Sequence, residues 1–209
     1  TMATKIKDPA ILASVDFGNN EEIRKIFQSI KDEDGVARVY KTGFKGMNEM
    51  GDGGLHTPES SMNLSLPHNY KSGMSLSLYS QVMRYNTPKT IDKTKIPCMV
   101  RISFEDEMPN IMKFLFTQMR YTETRQYVNF DDYESDFVSE YVMTNLQKNG
   151  WRVIMLRVDP TSWTYKDVFN YITSLEAQGY SVEGLWLDYM GLLPTTGCIQ
   201  GNAGEALRD

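Results

Sequence analysis

Three polar groups in this sequence fall where an open α/β sheet does its chemistry. The first is Lys71-Ser72, which closes the loop Ser65-Leu66-Pro67-His68-Asn69-Tyr70 and opens an amphipathic stretch. A lysine and a hydroxyl at a helix start suit a phosphate. Lys71 would meet the β- and γ-phosphates, the Ser72 hydroxyl would coordinate magnesium, and first-turn N–H groups would donate to the anion. The phosphate-loop form G-x-x-x-x-G-K-[ST] has glycines where this chain has Ser65 and Tyr70. Taken alone, the loop reads more readily as an ordinary helix start.

The second group is Ser103-Phe104-Glu105, the end of an apolar run followed by Asp106 and Glu107. A carboxylate at that point can polarise an attacking water as general base. An acidic turn that favours the dipole of the next helix is the plainer alternative. The third is Gly184-Leu185-Trp186-Leu187-Asp188, an apolar strand ending in aspartate, the form that holds magnesium through its water shell. Acids at strand ends are also common without such a role. Each signal is weak by itself, and the inference rests on all three lying at strand ends, where parallel sheets bind ligands.

The intervening elements must bring these residues together. Met62–Leu66 alternates as a short strand, and a helix follows over about 72–85 with Met74, Leu78 and Val82 on one stripe. Cys98–Phe104 reads as a buried strand. Pro109 suits the first turn of a helix carrying Met112, Leu115, Phe116 and Met119. A helix over about 134–148 stops at Asn149-Gly150, and Trp151–Val158 is the next strand. Thr164 and Asp167 form a capping-box pattern before a helix that Gly179 ends, and Val182–Leu187 is a buried strand reaching Asp188. Strands alternating with helices predict a parallel sheet covered on both faces. Before it, residues 1–40 read as a linking arm. Ile23, Ile26 and Phe27 there mark a short amphipathic helix that docks on another subunit or on its own domain.

Composition sets limits. With 41% hydrophobic and 23% charged residues, the chain is an ordinary globular protein able to bury a core. Two cysteines, Cys98 and Cys198, and two histidines, His56 and His68, make no zinc-ligand spacing and fit a reduced, cytoplasmic setting. No apolar run reaches the roughly 18 residues of a membrane span, so no membrane partner is expected. A net charge of −5 argues against a basic nucleic-acid coat and leaves DNA binding by a few loops open.

The order of residues resembles the C-terminal domain of DnaB-type replicative helicases. Thr42-Gly43-Phe44-Lys45-Gly46-Met47-Asn48 with Gly53-Gly54-Leu55 is similar to that family's opening segment. Ser103-Phe104-Glu105 resembles its S-L-E-M strand end, and Leu187-Asp188-Tyr189-Met190-Gly191-Leu192-Leu193 its I-D-Y-L-Q-L-M segment. The likeness covers roughly residues 40–209. DnaB-type loops often have alanine at the first glycine, and the His-Asn-Tyr-Lys-[ST]-Gly variant is associated with helicase-like proteins of large bacteriophages.

The resemblance implies a RecA-like three-layer α/β sandwich over residues 41–209, with a mostly parallel central sheet after the helical arm. It further implies ATP and Mg²⁺ as cofactors, and a homo-oligomeric, hexameric ring that translocates on single-stranded DNA with a primase or loader as partner. The setting would be the cytoplasm, that of the infected bacterium if the source is viral. His68, Asn69, Tyr70, Lys71, Ser72 and Gly73 would bind the nucleotide, Ser72 and Asp188 the magnesium, and Glu105 would activate water. The loop Thr195–Asn202 falls where that family touches DNA, making Thr196, Gln200, Asn202 and Arg208 the expected DNA contacts; a flexible polar loop is the equal alternative. Two departures stand out. Gly191 replaces the family's nucleotide-sensing glutamine, and the arginine finger comes later in the family, so the core is expected to be C-terminally incomplete. A degenerate RecA-like domain kept for nucleotide binding or assembly, and a strand-exchange protein, are the other readings.

Overall fold

The structure, a computed structural model, describes residues 15–34, 38–64 and 70–194. Its centre is strand β3 (Ile96–Ser103), flanked in parallel by β4 (Arg152–Arg157) and β5 (Tyr180–Asp188) in the order β4-β3-β5. Being central, β3 is buried on both faces, which is why it reads as a nearly unbroken apolar run. Alternation along β3 divides its side chains between two cores. Met99 packs with Val153, Met155 and Trp186 against helices α3 (Lys71–Tyr85), α4 (Met108–Thr124) and α5 (Ser135–Gln147). Cys98, Val100 and Ile102 face α6 (Tyr165–Ala177) through Val168 and Leu175. Helices, sheet and helix thus make the three layers of an α/β sandwich, as expected.

The register sets the level of the strand ends. Ser103 pairs with both Arg157 and Asp188, so β3, β4 and β5 finish side by side. Between Cys98 and Met99 an irregularity shifts the β3–β5 pairing, and beyond it Met99 opposes Gly184. A Cβ at Gly184 would lie 2.7 Å from the Met99 sulfur, so a close approach fixes this glycine.

Ahead of the sheet, α1 (Asn20–Asp34) forms where the amphipathic helix was expected, with Ile26 and Phe27 exposed. The Thr42–Leu55 segment folds into a compact knot. Strands β1 (Val39–Tyr40) and β2 (Leu55–His56) pair antiparallel around the short helix α2 (Lys45–Met50). The Thr42 N–H and hydroxyl both donate to Asn48 Oδ1, at 2.8 and 2.7 Å. Gly43, at φ +81°, takes a left-handed turn so close to Gln81 of α3 that a Cβ would collide with it. Asn86 then ties the knot to α3: it accepts from the Lys41 N–H at 2.8 Å and donates to the Lys41 and Val82 carbonyls.

One expected element is missing. Residues 61–64 are irregular, with Met62 and Leu64 72% and 85% exposed, and they pair with no strand among the described residues. Alternation predicts a half-buried face but supplies no partner for the ladder, and here neither burial nor pairing occurs. Ser65 and Leu66, the rest of that expected strand, lie outside the described residues.

Candidate nucleotide site at the carboxyl edge of the sheet

Helix α3 opens at the edge where β3 and β5 end. Tyr70, in the left-handed conformation (φ 53°, ψ 30°) and 88% exposed, precedes it, and the Met74 N–H donates to the Tyr70 carbonyl at 2.9 Å. The Tyr70 side chain does not cap the helix, and no cap is made among the described residues, so its first-turn N–H groups keep their capacity for an outside acceptor. Lys71 lies with Nζ 4.0 Å from the centroid of the Tyr189 ring, a cation–π contact joining the start of α3 to the residue after Asp188. Lys71 and Ser72 are half-buried, and Ser72 has no hydrogen-bond partner among the described residues. Gly73 is required by packing: a Cβ there would sit 3.3 Å from the Phe114 ring of α4.

The acidic cluster sorts itself by contacts. Asp106 donates its N–H to Ser103 Oγ at 3.0 Å, closing the turn after β3. Glu107 pairs with Arg157 at the end of β4, 3.3 Å away. Glu105 is exposed and makes no hydrogen bond or ion pair among the described residues. The Glu105 and Asp106 carboxylates are both unengaged among the described residues, and Glu105 follows directly on Phe104, whose N–H donates to the Asp188 carbonyl at 2.9 Å.

Asp188 has a partner that the sequence reading did not name. Its Oδ2 accepts from the Arg101 guanidinium at 2.6 Å, and Arg101 is entirely buried in the middle of β3. Register explains the contact. Arg101 opposes Trp186, Asp188 is two residues further along β5, and both side chains lie on the α3 face of the sheet. Arg101 also donates to the Ser75 hydroxyl at 3.1 Å, one helical turn after Ser72, while its Nε has no partner. A magnesium ion anchored by Asp188 does not fit this arrangement, because the carboxylate already neutralises a buried cation that has no other acid among the described residues. The clue was present in the sequence: an arginine inside a run that must be buried on both faces demands a partner.

Tyr70, Lys71, Ser72, Gly73, Glu105 and Asp188 therefore gather at one edge. His68 and Asn69, and the expected DNA contacts Thr196, Gln200, Asn202 and Arg208, lie outside the described residues.

A family model described as divergent DnaB-like ATPase matches residues 1–209. The chain belongs to the divergent DnaB-like ATPase family. No curated protein and no solved structure matches it. No helix among the described residues is long and apolar enough to cross a membrane.

Proposed function

We propose that this DnaB-like domain binds and hydrolyses ATP and uses the hydrolysis to move along single-stranded DNA as one subunit of a homo-oligomeric, hexameric ring. The observation that carries this reading is the meeting of Lys71, Glu105 and Asp188 at the carboxyl edge of a parallel sheet, the place where such sheets bind ligands. Lys71 and the uncapped start of α3 bind the phosphates, with Tyr70, Ser72 and Gly73 framing them and His68 and Asn69 completing the loop. Glu105 orients the attacking water and takes its proton. Catalysis of this kind is positioning and charge stabilisation, with no covalent intermediate. Magnesium, the usual companion of ATP, would touch this chain through the Ser72 hydroxyl rather than through Asp188.

In the assembled ring, residues 1–40 act as the linking arm, with Ile26 and Phe27 of α1 turned to a neighbouring subunit. Thr196, Gln200, Asn202 and Arg208 contact the DNA strand, and a primase or loader is the partner in replication. A second reading draws support from Asp188, whose engagement with Arg101 suits a domain retained for nucleotide binding or assembly. Steady-state ATPase measured with and without single-stranded DNA separates the two. Turnover stimulated by DNA supports the motor, whereas nucleotide binding without turnover in the assembled protein supports the second reading.

A further inference from the structure

We propose that Arg101 stands where a divalent cation would otherwise serve Asp188, so that this chain binds nucleoside di- and triphosphates without needing a divalent ion. The inference rests on the nucleotide site proposed above and adds which cation its Asp188 carboxylate serves.

Burial makes the arrangement permanent. The guanidinium is wholly enclosed beneath the first turns of α3, and among the described residues its Nε lacks a partner and its other contacts are the Ser75 hydroxyl and Asp188. Were Asp188 to turn to a metal, a cation closed off from solvent would lose its counter-ion. A dication on the same carboxylate would stand beside that guanidinium and be repelled by it. What remains toward the phosphates is a lysine and a row of helix N–H groups, all suited to an anion. Ser75 has a part in this: at one turn beyond Ser72 it links the phosphate-facing helix to the Arg101–Asp188 pair.

The test is the dissociation constant of a fluorescent ADP analogue, measured on the whole chain in magnesium and in EDTA. The wild type should give values within about threefold of each other. Arg101→Gln, which frees the Asp188 carboxylate, should bind at least tenfold more tightly in magnesium than in EDTA. A wild type that needs magnesium by tenfold or more overturns the inference while leaving the nucleotide site standing. No binding under either condition overturns the nucleotide site itself. Cation independence shared by wild type and Arg101→Gln removes Arg101 from the explanation. The wild-type comparison decides the main point even where the variant fails to fold.

Discussion

Asp188→Asn offers a direct measure of what the buried pair contributes. The substitution keeps the size of the side chain and removes its charge, leaving Arg101 enclosed with only neutral acceptors, the Ser75 hydroxyl and an amide oxygen. Two unit charges roughly 4 Å apart attract by about 4 kcal/mol at an effective dielectric constant of about 20. The desolvation of Arg101 is unchanged by the substitution, so little of that attraction is recovered elsewhere. Removing one member of such a pair costs about 3–5 kcal/mol, roughly a fifth or more of the stability of a typical domain. Urea unfolding should show that loss with an unchanged slope, and the thermal midpoint should fall by about 6–20 °C. Replacing both residues, as Arg101→Met with Asp188→Asn, should cost at least about 2 kcal/mol less than the sum of the single changes. An Asp188→Asn variant within about 1 kcal/mol of wild type would show that the pair does not hold the sheet to α3.

Three other outcomes follow from the same contacts. Glu105→Gln should leave ATP affinity intact and slow turnover by about 10²-fold or more, whereas Glu107→Gln, which breaks an exposed pair with Arg157, should stay within about threefold in the same assay. Burial pushes the Cys98 thiol up to about 11, against a smaller opposing effect of Arg152, so in a Cys198→Ser background a thiol reagent at pH 8 should label Cys98 only after denaturation; native labelling at the denatured rate would contradict its enclosure. The Thr164 hydroxyl and N–H donate to Asp167 and hold its carboxyl below the ordinary range. Since the folded form is the more acidic, its stabilising effect is full above the ordinary value of about 4 and fades as pH falls below it. The stability gap between wild type and Asp167→Ala should therefore narrow in acid, and a gap that widens would reverse the assignment.

The sheet was legible because its strands are buried on both faces. Cys98–Phe104 and Val182–Leu187 announce themselves as apolar runs, and Thr164 with Asp167 marks the start of α6 through local hydrogen bonds. Residues 61–64 misled because alternation says nothing about whether a partner strand lies alongside. The Arg101–Asp188 pair was hidden for a related reason. It depends on a register that places Arg101 opposite Trp186, and that register follows from an irregularity at Cys98 and Met99 that no local pattern reveals. Glu105 was chosen from the Ser103-Phe104-Glu105 resemblance, and the engagement of Glu107 by Arg157, 50 residues away, could not be read from the sequence. Lys71, Ser72, Glu105 and Asp188 were readable as candidates because strand ends and helix starts are local features; what each one touches is not.

Calorimetric titration of ATP into the wild type and Lys71→Ala tests the central claim most directly. Lys71 is half-buried, and its contact with the Tyr189 ring contributes about 0.5–1 kcal/mol, so the variant should keep a thermal midpoint close to wild type. Loss of a charge-assisted phosphate contact should weaken ATP binding by about 1.5–3 kcal/mol, roughly ten- to a hundredfold. Equal affinity in the two proteins would contradict the placement of the nucleotide phosphates at the start of α3.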